Sequence, residues 1–266
     1  MLNKLAWKLV LQNLFIFLSM IFNPLEQFRI QVLKKICFSG IDISITNNTI
    51  ILLIVLIAFT FLFYVNNSSN TYVLSKWQYA VENIYLFVLQ LFKQQVSSIV
   101  ALKYFPLVLF IFSFILLSNL IGLLPYGFTI TGHIIFTFQV AFSLFVGITL
   151  INLFNNNVQF FNLFVPSGVP KPLVPFLVVI EVVSYLIRPF SLSVRLFANM
   201  LAGHTLLNIL SAFIFNIFKQ YAIISFLPLL FIVFIIVLEF CIAIVQAYIF
   251  SILTCIYLND IYNTSH

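Results

Sequence analysis

Charged residues are scarce in this 266-residue chain. It has 12 Lys and Arg residues and 6 Asp and Glu residues, which together make up 7% of the sequence. A soluble domain carries about 25% charged residues, so these few charges cannot cover a water-exposed surface, and a soluble enzyme is excluded. With 63% hydrophobic residues and a mean hydropathy of +1.18, the composition predicts a polytopic membrane protein.

Cysteine pairs and basic runs are also missing. Cys37, Cys241 and Cys255 form no pair motif, and the last two lie in an apolar run, where a free thiol behaves as a small hydrophobic group. We therefore predict no disulfide, no metal site, no redox centre and no cofactor. Because no stretch is rich in Lys or Arg, the net charge of +6 favours lipid headgroups over nucleic acid.

The N-terminal segment, residues 1–48, differs from the rest. Residues 1–22 are apolar but contain Lys4 and Lys8, which fits a removable leader, an interfacial helix or an anchored N-terminus. Residues 23–48 are polar and are expected to lie at a surface. Residues 49–266 are predicted to form a single membrane domain.

Three apolar runs predict membrane spans at about 49–65, 104–124 and 134–154. Between the first two, residues 73–100 interleave polar side chains such as Lys76 and Glu82 with apolar ones such as Trp77. This pattern indicates an amphipathic helix that lies on the membrane surface rather than crossing it.

The last two apolar runs, 173–218 and 221–258, are unusually long. Continuous helices of these lengths would extend roughly 69 Å and 57 Å, whereas the hydrocarbon core is about 30 Å thick. Each run is therefore either two short helices or one helix strongly tilted in the membrane. Only Lys219 and Gln220 separate the runs, which favours an antiparallel hairpin. The predicted fold is all-α, with a long tilted C-terminal hairpin.

Ionisable residues within this hairpin are the candidate functional groups, because charges at membrane depth are costly and usually functional. They are Glu181, Arg188, Arg195, His204, Glu239 and Asp260. For Arg188, which precedes Pro189, a structural ion pair or a contact with headgroups is equally open.

Counting residues from a turn at position 220 places polar groups of the two arms at three matching depths. The pairs are His204 with Glu239, Arg195 with Gln246, and Glu181 with Asp260. Arg195 and Asn199 share one helix face, whereas His204 and Asn208 point to roughly the opposite face.

Proton chemistry follows from these residue types. Histidine and carboxylates can take up and release protons, whereas arginine stays protonated. Arg195 interrupts the line of titratable groups, so the sequence predicts two half-channels that are not directly connected.

Several stretches resemble subunit a of F-type ATP synthases. Ser184–Leu210, with the specific core RLFANMLAGH, resembles the signature of that family, and Leu238–Leu258 resembles its last helix. Ser118–Thr129 and Asn23–Phe28 also fit. The resemblance covers most of the chain beyond residue 22, and these stretches are its most recognisable parts.

The resemblance implies roles for individual residues. Arg195 would be the essential arginine that attracts the carboxylate of a rotating c subunit and blocks leakage, with Asn199 and Gln246 as its amide partners. His204 and Glu239 would line the half-channel on the intermembrane side, and Glu181 and Asp260 the matrix half-channel. Asn208 and Tyr248 would support these paths.

The resemblance also implies partners and location. A histidine in the first arm with a glutamate in the second is similar to the mitochondrial form, which implies the mitochondrial inner membrane, with a bacterial plasma membrane as the alternative. The implied partners are the c-subunit ring, peripheral-stalk and other membrane subunits, and lipid such as cardiolipin.

The chain would not be an enzyme on its own, since ATP chemistry would take place in other subunits. Two other functions remain open at this stage. One is a respiratory-complex subunit such as a cytochrome, which needs paired axial ligands. The other is a self-contained ion transporter, for which internal repeats are typical.

Overall fold

The computed structural model describes residues 26–38, 41–42, 44–67, 76–96, 99–124, 127–156, 173–220 and 226–263. The first 22 residues, for which a leader, an interfacial helix or an anchor was predicted, lie outside these ranges.

Helices dominate the described part of the chain. They are α1 (Asn47–Asn67), α2 (Lys76–Gln95), α3 (Phe105–Gly122), α4 (Ile134–Asn156), α5 (Val174–Gln220) and α6 (Phe226–Asn263). All except α2 are long and apolar enough to cross a membrane. The prediction of an all-α polytopic membrane protein is therefore confirmed.

Helix α2 is amphipathic, as its sequence pattern predicted. Val88 and Phe92 are fully buried, and the Phe92 ring packs edge-on against Phe105 of α3 at a centroid distance of 5.9 Å. Trp77 and Tyr79 near its start are exposed. One face of α2 is thus anchored to the helix bundle, while its location at the membrane surface stays a prediction.

Helices α5 and α6 are each continuous, which decides between the two alternatives for the long apolar runs. Helix α5 extends over 47 residues and continues through Pro189, although proline cannot donate the usual intrahelical hydrogen bond. Gly203 of α5 lies against Glu239 of α6, and Arg188 lies near Tyr257. Because the order of these contacts reverses along the two helices, α5 and α6 are antiparallel. Their tilt in the membrane stays a prediction.

Helix α3 occupies the centre of the bundle. Val108, Phe112 and Ile115 are buried in one apolar cluster with Phe250 and Leu258 of α6. In lipid, close packing and interhelical hydrogen bonds hold helices together.

Two polar contacts join pairs of helices within the bundle. Asn119 Nδ2 of α3 donates to the Ala243 carbonyl of α6 at 3.4 Å. The hydroxyls of Thr137 in α4 and Ser193 in α5 lie 3.1 Å apart.

Four short strands precede α1, and the sequence pattern did not predict them. β1 (Val32–Lys34) pairs with β4 (Ile45–Thr46), and β2 (Cys37–Phe38) pairs with β3 (Ile41–Asp42), both antiparallel. The Asn47 side chain accepts from the Gln31 amide at 3.2 Å and donates to the Arg29 carbonyl at 3.3 Å. These bonds hold a single 3-10 turn, Glu26–Phe28, close to the start of α1.

The connection between α3 and α4 packs tightly against the bundle. It contains a buried 3-10 turn, Ile130–Gly132, and the His133 ring stacks on Phe128 at 5.0 Å. Gly122 at the end of α3 allows this approach, since a Cβ atom there would lie 2.9 Å from Thr129 Cγ2. Burial lowers the pKa of His133 below its usual value of 6.5.

We expect Gly122→Leu to destabilise the protein by about 1–3 kcal/mol, because the added side chain would push the connection away from α3. Gly147→Leu is the matched control, since a Cβ atom at Gly147 meets nothing within 4 Å. Thermal unfolding of the two purified variants measures the difference. Equal stability of both variants would contradict the tight packing at Gly122.

Acid should weaken the same connection. Because the pKa of His133 is lower in the folded state than in the unfolded chain, the unfolded state binds more protons as pH falls below about 6.5. Stability is therefore fully present above pH 6.5 and is lost progressively below it. His133→Phe keeps a ring on Phe128 without a titrating group. We expect this variant to lose less thermal stability than the wild type between neutral and acidic pH.

Candidate functional site

The predicted site residues lie along the contact between α5 and α6, in three groups. The His204 cluster contains His204 and Glu239. The Arg195 groove is the open cleft that Arg195 lines. The Arg188 group contains Arg188 with its two carboxylate neighbours, Glu181 and Asp260.

A glycine brings the two members of the His204 cluster to the same level. A Cβ atom at Gly203 would lie 2.5 Å from Glu239 Oε1, so the Glu239 carboxyl group rests directly against the α5 backbone beside His204. Any larger residue at this position would displace the carboxyl group. The structure therefore places Glu239 at the level of His204 along the helix pair.

Several buried polar atoms meet in the His204 cluster. Glu239 is 7% exposed, and its two carboxyl oxygens and His204 Nε2 have no hydrogen-bond partner among the residues that the structure describes. Buried polar atoms in proteins almost always have a partner. The cluster is therefore a candidate site for proton exchange.

The N-terminal turn contributes residues to this cluster that sequence reasoning missed. Asn208 Nδ2 donates to Gln27 Oε1 at 2.6 Å, and the Phe28 ring stands edge-on to the His204 imidazole at 6.4 Å. Gln27 and Asn208 are 181 positions apart in the chain. No hydrophobic period links them, so only their shared membership of family-like motifs could have hinted at the contact.

The Arg195 groove is an open cavity of about 760 Å³ between α5 and α6. Its polar lining consists of Ser184, Arg188, Ser191, Arg195, Tyr257 and Asp260. Arg195 is exposed and forms no ion pair with any residue in the described ranges. A permanent cation is thus presented to the open side of an apolar helix pair, where a partner from outside the chain can reach it.

The amides predicted to support Arg195 differ in exposure. Asn199 is half-buried one turn further along α5, and Gln246 is 5% exposed on α6. Tyr248 is half-buried, and its ring lies 6.2 Å from Phe87 of α2. The supporting roles of these three residues stay predictions.

The Arg188 group resolves one alternative that the sequence left open. Arg188 Nη2 lies 3.8 Å from Glu181 Oε1, so Arg188 forms a structural ion pair. The guanidinium also lies over the rings of Tyr185 and Tyr257, at 5.6 Å and 5.8 Å. Asp260 lies within electrostatic range of Arg188. The two predicted matrix-side carboxylates therefore share one cation, which the depth count did not include.

The three groups are well separated along the helices. Glu239 and Asp260 are 21 residues apart on α6, or about 32 Å at 1.5 Å per residue. Arg195 stands about 14 Å along α5 from His204 and about 10 Å from Arg188. Two sets of titratable groups are thus well separated along the helix pair, and the permanent cation of Arg195 lies between them.

Comparisons with known proteins point to one family. Residues 48–259 match the family described as ATP synthase A chain. A relative from Acanthamoeba castellanii named ATP synthase subunit a is 88% identical over 93% of this chain and 100% of the relative. Relatives of the same name are 44% identical in Marchantia polymorpha, over 91% of this chain and 98% of theirs, and 43% identical in Pelagibacter ubique, over 92% and 99%.

The contacts of Arg188 lead to a stability prediction. Arg188→Gln removes both cation–π contacts and the ion pair with Glu181, so we expect a loss of about 1–2 kcal/mol and a lower melting temperature. Arg188→Lys keeps the charge but not the planar guanidinium, and should recover only part of the loss. Thermal unfolding of the purified protein measures both. A melting temperature unchanged in Arg188→Gln would show that these contacts, of which only the one with Tyr257 reaches α6, do not stabilise the fold.

Proposed function

Since this chain belongs to the ATP synthase A chain family, we propose that it is the proton-translocating stator subunit of the F-type complex. In this role it forms two offset aqueous half-channels, one at the His204 cluster and one at the Arg188 group. Arg195 separates them and faces the rotating ring of c subunits.

The family and the fold set the frame for this mechanism. The chain is a membrane subunit of F-type ATP synthase and a multi-pass protein of the mitochondrial inner membrane. It is one subunit of a larger complex. We infer that ATP synthesis and hydrolysis take place in other subunits of the complex.

The observation that carries the proposal is the placement of Arg195. It lies between two sets of titratable side chains, on an open groove, without an ion-pair partner in the described part of the chain. A structural arginine at membrane depth is expected to be paired. An exposed, unpaired guanidinium is suited to a carboxylate that arrives from a moving partner.

Proton uptake takes place at the His204 cluster. His204 and Glu239 accept protons from the intermembrane side and pass them to a carboxylate of the c ring. The buried polar atoms of the cluster support this step, because they can bind water inside a protein wall. The loaded carboxylate is neutral, so it can turn with the ring into the lipid phase.

Proton release takes place after nearly one full revolution of the ring. The carboxylate reaches the Arg195 groove and unloads toward Asp260 and Glu181. Arg195 attracts the ionised carboxylate and cannot relay a proton, because its guanidinium stays protonated. Direct leakage between the half-channels is thereby blocked, and the proton-motive force becomes torque on the ring.

The partners follow from the same arrangement. The open groove faces the c ring. The exposed apolar side chains of α1 and α4, among them Ile57, Phe61, Ile135 and Phe154, face lipid or neighbouring membrane subunits. Binding of the peripheral stalk and of a particular lipid such as cardiolipin stays a prediction from the family resemblance.

The test is proton flux in vesicles that contain the intact complex with an altered Arg195. In Arg195→Ala we expect coupled proton pumping to fall to background while passive proton leak is kept or raised, because the barrier is lost. In Arg195→Lys the charge remains without the planar fork, and coupled transport should also be lost.

Lys93→Ala is the matched control, since it removes one exposed cation from α2, away from the groove. It should keep normal coupled pumping. Coupled pumping at the wild-type rate in Arg195→Ala would refute the proposed function and favour a self-contained transporter.

A further inference from the structure

The Glu26–Phe28 turn lies at the same level as His204, although it belongs to a different end of the chain. Its middle residue, Gln27, accepts a hydrogen bond from Asn208 at 2.6 Å, and Phe28 stands edge-on to the His204 ring. The Arg29 amide donates to the Glu26 carbonyl at 3.0 Å, and Asn47 holds the residues that follow. The turn is therefore fixed on both sides.

The connection between α3 and α4 completes the enclosure around this point. A Cβ atom at Gly132 would lie 2.9 Å from Phe28 Cε1, so the connection touches the turn directly. Next to His204 in α5, Gly203 lies against the Glu239 carboxyl group of α6. The His204 cluster is thus bounded by α5, α6, the connection and the N-terminal turn.

Unsatisfied polar atoms continue from the helices into the turn. Gln27 Nε2 is buried without a hydrogen-bond partner among the described residues, as are His204 Nε2, Thr131 Oγ1 and the carboxyl oxygens of Glu239. A glutamine side chain has one acceptor and two donor hydrogens. Gln27 uses its acceptor to hold Asn208, which leaves its donor group within the buried cluster.

We propose that the Glu26–Phe28 turn is a wall of the outer half-channel and that Gln27 is a positioning residue for proton uptake. Gln27 holds Asn208 and supplies a donor to the cluster, while Phe28 limits the orientations of the His204 ring. This inference rests on the proposed function of the His204 cluster. The turn affects the loading of protons but not their release, because release takes place at the Arg188 group, about 32 Å away along the helix pair.

The test uses vesicles with the intact complex and measures the rate of ATP synthesis, per assembled complex, at a series of outer-side proton concentrations. In Gln27→Leu we expect the half-saturating proton concentration to rise about threefold to tenfold, the range for a lost hydrogen bond. The saturating rate should stay within about twofold of the wild type, since a lost hydrogen bond at uptake leaves later steps intact. A merely structural role would instead lower the saturating rate.

The titratable or charged groups beside Gln27 in the turn, in the connection and in the His204 cluster are unchanged in this variant. They are Glu26, Arg29, His133, His204 and Glu239. Gln31→Leu is the matched control, because the Gln31 side chain is exposed and its bond to Asn47 uses the backbone amide. This control should keep the wild-type half-saturating concentration.

A second variant guards against a folding defect in Gln27→Leu. Gln27→Asn alone should weaken the bond because the side chain is shorter, and adding Asn208→Gln restores the total length of the amide pair. We expect the double variant to recover at least half of the lost proton affinity. Failure of this recovery, or equal profiles for Gln27→Leu and Gln31→Leu, would overturn the inference.

The two proposals fail separately. If Arg195→Ala abolishes coupled pumping while the Gln27 variants keep the wild-type profile, only the role of the turn is wrong. If Arg195→Ala pumps normally, the half-channel function itself is wrong.

Discussion

The cost of a permanent charge beside apolar helices governs the arrangement of this molecule. Arg195 cannot become neutral by losing its proton, so it needs either a paired carboxylate or access to a polar surface. Each of the two neighbouring arginines, Arg188 and Arg195, meets this need in a different way. Arg188 is paired with Glu181 and covered by two tyrosine rings, whereas Arg195 is open to the groove. Arg188 thus has partners within the chain, whereas Arg195 is available to a partner from outside it.

The continuous helices α5 and α6 fix the spacing of the functional groups along the helix pair. Because α5 continues through Pro189, the spacing of His204, Arg195 and Arg188 is fixed by the helix itself rather than by flexible joints. The antiparallel partner α6 then places Glu239 at the level of His204 and Asp260 near Arg188. Gly203 allows α5 and α6 to approach closely, because its missing side chain leaves room for the Glu239 carboxyl group against the α5 backbone.

The sequence predicted the parts of this structure that depend on composition and local periodicity. Long apolar runs gave the five spanning helices, and the mixed pattern of residues 76–95 gave the amphipathic α2. Counting residues from the turn along both helices predicted that His204 and Glu239 lie at the same depth. The contacts of Gln27 and Phe28 could not be predicted, because they join distant segments without any repeating pattern. The short strands before α1 were missed because runs of two or three residues carry too little signal.

The contact between Gln27 and Asn208 has a consequence for biogenesis. The turn is synthesised long before α5, so the three spanning helices α1, α3 and α4 insert before its partner reaches the membrane. Glu239 and Arg195 both belong to the final hairpin. The enclosure around His204 is therefore complete only when this hairpin has entered the bilayer. On the proposed function, a nascent chain arrested after α4 contains neither a proton relay nor a groove, so membrane insertion can proceed without dissipating the proton gradient.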